Sequence, residues 1–204
     1  MKRILNNIIF KIKNPDCILD NSASVSRKFK VGNNCKIGRG CILASTVTLG
    51  NNVIIGGNTC LKNLSVGNNT MIEGGVKVVG PGKGNISIGE ECYIGVNNVF
   101  DTSDNITIGD FVHIAGPSTG LWCHSSAEMC INSIPLEDKN RDKYRPTSPI
   151  IIESNVYIGG NCTIYPGVKI GHHSIIAPNS AVTKDVESFK IMGGVPARII
   201  KKIT

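Results

Sequence analysis

The 204-residue sequence predicts an all-β chain wound into a solenoid of parallel, three-sided coils. Three observations predict it. Aliphatic residues recur every six positions over most of the chain, and Asn and Gly fall at matching places of the same frame. Aromatic residues are only 5% and charged residues 18%, with 23 glycines and abundant Val, Ile and Thr, a composition of strands and tight turns. One domain is expected at this length.

In chain order, residues 1–18 are expected to form an amphipathic cap. Ile4, Leu5, Ile8, Ile9 and Ile12 would share one helix face, with Lys2, Arg3, Lys11 and Lys13 near its edges. Capping the open solenoid end is the first expectation for it, since an exposed coil end invites edge-to-edge pairing. Peripheral membrane contact through residues 1–13 is the other. The repeat then runs from Leu19 and Val25 through Val31, Ile37, Leu43, Leu49, Ile55 and Leu61, slips by one at Val66, and continues through Ile72 and Val78. After Pro81-Gly82-Lys83-Gly84-Asn85, read as an extruded turn, it resumes at Ile88, Ile94 and Phe100, and a two-residue insertion precedes Ile108 and Ile114. Residues 116–151 are expected to be an extruded loop, its stretch 132–149 strongly charged. The pattern returns at Ile152, Ile158, Ile164, Ile170, Ile176 and Val182, so the helical body spans 19–186 and 187–204 is a tail.

The fifth residue of one hexad and the first of the next lie two apart, so on a strand both point into the core. Asn and Gly suit the corners because a bend every six residues needs left-handed backbone. Counting hexads from Leu19 implies about seven coils and a prism about 35 Å tall. Such a rod has no internal cavity, so function belongs at the interruptions and between subunits. Cys35, Cys41, Cys92 and Cys162 occupy the small inward position, a packing role; Cys17 and Cys60 lie elsewhere in the pattern.

The net charge of +7 is confined to the ends: residues 1–30 carry +5, the tail carries Arg198, Lys201 and Lys202, and the middle is near neutral. Nucleic-acid binding is therefore not expected, while solvated termini or a local phosphate site are. Eight cysteines without a C-x-x-C argue for free thiols and no metal centre. Asn6 and Asn7 interrupt the first apolar run, so neither a signal peptide nor a membrane span is expected, and the expected location is the cytoplasm, with the inner face of the membrane as the alternative.

The hexads resemble those of the hexapeptide-repeat acyltransferases, and this resemblance implies a left-handed parallel β-helix. The segment Val156-Tyr157-Ile158-Gly159-Gly160 through Pro166-Gly167-Val168-Lys169-Ile170-Gly171, with Val182-Thr183-Lys184-Asp185-Val186 and Gly193-Gly194-Val195-Pro196-Ala197-Arg198, is similar to the ending of the galactoside, maltose and xenobiotic acetyltransferase branch. The resemblance implies a homotrimer that binds acetyl-coenzyme A (acetyl-CoA) as cosubstrate between two subunits. The backbone around Gly160 and Ala177 would hold the pantetheine amides, and Tyr157 would flank the thioester arm. Thr183 and Lys184 would lie near the nucleotide half, and Arg198 and Lys201 would meet phosphates. For the basic tail residues, a solvated tail is the competing reading.

The interruption opens Gly116-Pro117-Ser118-Thr119-Gly120-Leu121-Trp122-Cys123-His124-Ser125, with the only Trp of the chain beside a His. In the family resembled, the catalytic His sits on such a loop, and Trp122-Cys123-His124 is the matching element. An imidazole that titrates near neutrality can take the proton of an acceptor hydroxyl as it attacks a thioester. His124 is thus the candidate base, with Asp101 and Glu128 as candidates to orient it and Trp122 and His113 as acceptor-site candidates. Cys123 as a nucleophile is the less favoured option, and an exposed polar loop without chemistry is the bland one. The resemblance implies O-acetylation of a sugar hydroxyl, with an antibiotic acetyltransferase or a non-catalytic assembly protein as alternatives. Four histidines at 113, 124, 172 and 173 do not supply the metal-binding spacing of the γ-type carbonic anhydrases that share the solenoid.

Overall fold

The computed structural model describes residues 2–203. The chain is a left-handed parallel β-helix whose short strands stack into three faces. The first face has ten strands, the second eight and the third seven, the last extended by a parallel bridge from Val186 to Ile170. Each face buries one aliphatic column. On the first face, Leu19, Ile37 and Ile55 pair in register, the stack continues through Ile72, Ile94 and Ile114, and Ile158, Ile176 and Met192 complete it. This core is mainly aliphatic, and Phe100, Ile37, Leu43 and Ile55 are among its largest fully buried side chains.

The expected corners are present. Asn34, Asn52, Asn69, Asn97, Asn161 and Asn179 all have positive φ between 55° and 58°, the left-handed conformation that Asn tolerates. Stacked corner residues bond along the prism: Asn52 Nδ2 donates to Asn69 Oδ1 (2.8 Å), and Asn69 Nδ2 to Glu91 Oε1 (2.7 Å). The inward thiols of Cys35, Cys41, Cys92 and Cys162 donate to carbonyls of the next coil at 3.0–3.2 Å. Cys17, which the repeat left unassigned, does the same to Gly32 O at 3.2 Å.

Three expectations need correction. Eight three-sided coils form, not about seven. The missing strand, Gly120–Leu121, lies inside the segment expected to be extruded, between Val99–Asp101 and Thr163–Ile164 on the second face. It escaped the hexad count because Leu121 follows Ile114 by seven residues, the Gly116-Pro117-Ser118 turn adding one. The true excursion starts after Cys123, carries the short helix α2 (Ala127–Ile131) and a 3-10 turn at Arg141–Tyr144, and returns where Thr147 bridges His124. The segment 187–204 is not a free tail: Lys190–Gly193 adds a parallel strand beside Ile175–Ile176, and Arg198–Lys202 turns back antiparallel on it.

The third correction concerns helix α1 (Lys2–Lys13), which packs on the first coil with its polar side inward. Asn7 Nδ2 donates to Ala23 O (2.8 Å) and Asn6 Nδ2 to Val25 O (3.2 Å), while Phe10 stacks on Phe29. The physical reason lies in the edge strand Ser24–Val25, whose outer carbonyls have no further coil to pair with and take amide donors instead. Ile4, Leu5, Ile8 and Ile12 therefore face away from the protein, Ile4 at 60% and Ile12 at 74% exposure. No described helix is long and apolar enough to cross a membrane.

Candidate active site

The site is built where three interruptions of the repeat meet. The strand Val99–Asp101 turns Phe100 into the core and leaves Asp101 at the corner, where Ser103-Asp104 replaces the regular turn. One coil further on, alternation along the extended chain buries Leu121 and Cys123 and sends Trp122 and His124 outward. The returning strand holds His124 in place, with Ser148 N–H donating to Cys123 O at 2.9 Å.

Nδ1 of His124 lies 2.5 Å from Asp101 Oδ2 and 3.0 Å from Ser103 Oγ. The Asp101 side chain is 1% exposed and that of His124 is 23% exposed. The carboxylate also accepts the N–H of Cys123 on Oδ2 (3.1 Å) and the N–H and hydroxyl of Ser103 on Oδ1 (3.0 and 2.8 Å). With the carboxylate oxygens accepting throughout this cluster, Nδ1 carries the proton toward Oδ2 and Nε2 is left as the acceptor nitrogen. His124 and Ser103 line a cavity of about 190 Å³ with Lys83, Asp142, Arg145 and Thr147. This is the arrangement of an oriented imidazole base opening on a small polar pocket.

Of the two orienting candidates, Asp101 is in place and Glu128 is not: Glu128 is exposed on α2, and the hydrogen-bond partners of His124 are Asp101 and Ser103. The nucleophile option for Cys123 fails physically. Its thiol is buried, and desolvation together with the Asp101 charge pushes its pKa up to about 12. Trp122 is partly exposed, its ring packing against Gly120, and its backbone N–H donates to Ile164 O (3.0 Å). His113 is not at this pocket. It stands outward on the first face, in one column with Tyr93 and Tyr157.

The donor-end residues divide. Thr183, Lys184 and Arg198 line one groove of about 560 Å³ at the last coil, with Asp185, Met192 and Ala197. Lys201 does not line this groove, pairing with Ile191 on the terminal strand, and Tyr157 belongs to the first face. Ala177 already has partners, its N–H bonding Met192 O and its carbonyl accepting Ser180 Oγ. At Gly160, a Cβ would collide with the Gly116 carbonyl, so close packing of that turn accounts for the glycine. The groove and the His124 pocket share no residue, yet one outward column joins them. Trp122, Tyr165 and Thr183 follow the stacked Leu121, Ile164 and Val182, two strand spacings of about 4.8 Å each.

The family description "Bacterial transferase hexapeptide (six repeats)" matches residues 30–63 and 149–184, both blocks within this solenoid. Over these two blocks the chain is similar to the hexapeptide-repeat transferases. Among similar proteins, a galactoside O-acetyltransferase of Escherichia coli (strain K12) is 36% identical over 122 residues, covering 58% of this chain and 55% of that one. A chloramphenicol acetyltransferase of Escherichia coli is 33% identical over 112 residues, covering 50% and 53%. The chain thus spans about half the length of these curated relatives. The solved structure of the polySia specific acetyltransferase NeuO superposes with TM-score 0.57 at 28% identity, covering 90% of this chain and 88% of that one.

Sequence reasoning missed Ser103, Lys83, Arg145 and Tyr165. Ser103 was signalled by the two-residue insertion after Phe100, read only as a break in register. Lys83 and Arg145 lie in two insertions far apart in sequence, and nothing in the local pattern says that they meet.

Proposed function

We propose that this protein is an acetyl-CoA-dependent O-acetyltransferase that modifies a sugar hydroxyl with His124 as general base. The observation that carries the reading is the Asp101–His124 pair at the mouth of a cavity, on a solenoid whose named relatives include acetyltransferases. In the step, Nε2 of His124 takes the acceptor's O–H proton as the oxygen attacks the thioester carbonyl carbon. The carbon–sulfur bond breaks, the thiolate of coenzyme A leaves, and the same proton passes from Nε2 to it. No acyl-enzyme is needed. Asp101 holds the imidazole in the productive tautomer and balances its charge while it carries the proton.

The groove at Thr183, Lys184 and Arg198 suits the nucleotide end of the donor, because Arg offers a planar fork and Lys a point charge to phosphates. The column through Tyr165 and Trp122 offers the pantetheine arm a track toward His124. A homotrimer fits the outer surface of the first face, where Ile54, Met71, Tyr93 and, beyond His113, Tyr157 form a largely apolar column, against Thr48, Ser65, Ser87 and Thr107 on the third. The outward Ile4, Leu5, Ile8 and Ile12 of α1, with Arg3, Lys11 and Lys13 beside them, favour docking on an anionic bilayer surface from the cytoplasmic side.

An antibiotic acetyltransferase is the second reading, favoured by the identity with the chloramphenicol enzyme. The test is thiol release from acetyl-CoA by the wild type and His124→Ala over a panel of sugars and antibiotics. Turnover with sugars, lost in His124→Ala while acetyl-CoA binding persists, is the expected result. Turnover with chloramphenicol alone selects the second reading, and failure of the wild type to bind acetyl-CoA removes both.

A further inference from the structure

The wall of the His124 cavity is made by two insertions that the repeat does not require. Lys83 comes from the Pro81–Asn85 turn and Asp142, Arg145 and Thr147 from the long excursion, and Lys83 Nζ ties the two together by bonding Asp142 Oδ2 at 2.9 Å. That ion pair is largely exposed, and Lys83 holds the Asp142 carboxyl below its ordinary range. Arg145 differs. It is half-buried against the cavity, and among the described residues its guanidinium has neither an ion-pair partner nor a side-chain hydrogen bond.

Two cations and one carboxylate thus face the space in front of His124, while Asp101 at its base is enclosed by Ser103, the Cys123 N–H and the imidazole itself. The one carboxylate near this partly desolvated guanidinium, Asp142, is already bonded to Lys83, so the donors of Arg145 are left open to a ligand. A neutral sugar would leave it incomplete, since hydroxyl groups need no formal charge opposite them. A carboxylate or phosphate matches the planar fork of Arg with two parallel hydrogen bonds.

We infer that the acceptor is an anionic sugar, whose carboxylate or phosphate is held by Arg145 with help from Lys83 while its hydroxyl meets His124; this rests on the acyl-transfer reading of the same site. The anion belongs to the acceptor and not the donor, because the cationic groove at Thr183, Lys184 and Arg198 lies two coils away and shares no residue with this cavity. The cavity, at about 190 Å³, is below the range of roughly 300–1,000 Å³ for sites of drug-sized ligands, so its closed part takes a single sugar unit.

The experiment compares the methyl glycosides of galactose, galacturonic acid and galactose 6-phosphate with the full chain and with Arg145→Gln, Arg145→Lys and Lys83→Gln. Binding is followed by ligand-observed NMR, turnover by thiol release, and acetyl-CoA affinity by calorimetry. Expected are binding and turnover of at least one acidic glycoside at about tenfold or more over the neutral one. Arg145→Gln should cut that preference about tenfold, mainly through KM, with part of it kept in Arg145→Lys and a smaller loss in Lys83→Gln. The acetyl-CoA affinity should stay within about twofold in all variants, which also reports an intact fold. Which acidic glycoside is preferred separates a carboxylate from a phosphate.

The proposal is overturned if the wild type prefers the neutral glycoside, if no acidic glycoside binds, or if Arg145→Gln weakens acetyl-CoA instead and so belongs to the donor. A wild type that neither binds acetyl-CoA nor releases thiol sinks the acyl-transfer reading itself, a result distinct from acyl transfer to neutral sugars.

Discussion

Oδ2 of Asp101 lies 2.5 Å from Nδ1 of His124, although the two residues come from successive coils and 23 positions separate them in sequence. The pair dictates the first prediction. His124→Ala should lower kcat by roughly 10²–10⁴ with acetyl-CoA affinity unchanged, because only the proton acceptor is lost. Asp101→Asn should lower kcat while leaving the acceptor KM nearly constant, since the amide can present its NH2 to Nδ1 and favour the wrong tautomer. Steady-state kinetics on both variants check this, and an Asp101→Asn enzyme with full kcat would remove the orienting role.

Cys123 sits between Trp122 and His124 yet is buried, its pKa pushed up to about 12 by burial first and the Asp101 charge second. A thiol reagent at pH 8 should therefore modify the exposed Cys60 and Cys130 and spare Cys123, as peptide mass mapping would read. The stability consequence has a definite sign. The folded state keeps a proton that the unfolded thiol releases near pH 9, so this contribution is fully present below pH 9 and is lost as pH rises from 9 toward 12. Cys123→Ala should show a shallower fall of Tm over that window; an identical alkaline slope in both proteins contradicts the assignment.

Helix α1 presents Ile8 and Ile12 to solvent while Asn7 and Phe10 face the first coil. The wild type should sediment with phosphatidylglycerol vesicles, less so at high salt, and not with phosphatidylcholine alone. Ile8→Asp with Ile12→Asp should abolish sedimentation without lowering Tm, because neither side chain packs on the solenoid. Unchanged sedimentation by the double variant, or a change in its oligomeric state instead, assigns that face to another partner.

Phe100 is fully buried directly before Asp101, with Leu121 stacked beside it. Phe100→Ala should cost about 3–5 kcal/mol in urea denaturation, and Phe100→Leu less than about 1.5 kcal/mol. Because the vacated space lies beneath the site, the Ala variant should also lose turnover in the fraction that remains folded. Undiminished activity would mean that Asp101 is positioned by its own hydrogen bonds alone.

The sequence alone was enough for the coil and its contents. A period of six with an inward aliphatic and an inward small residue leaves one way to bury both, and Asn at the fourth place supplies the left-handed corner that closes the triangle. It also marked the Trp122-Cys123-His124 interruption, since a broken repeat is visible in one dimension. Leu121 shows the limit of that legibility: one extra residue hid a strand and with it a coil. The inward polar side of α1 was hidden for another reason. A helix pattern shows which residues are apolar but not which surface needs hydrogen-bond donors, and here the free carbonyls of Ala23 and Val25 decided. The same holds for the site. Asp101, Ser103, Lys83 and Arg145 converge on His124 only because coil stacking brings residues about twenty positions apart into adjacent layers and lets insertions from different coils touch. Long-range contact of that kind is a property of the closed solenoid, in which each residue's neighbours are set by the coils above and below it.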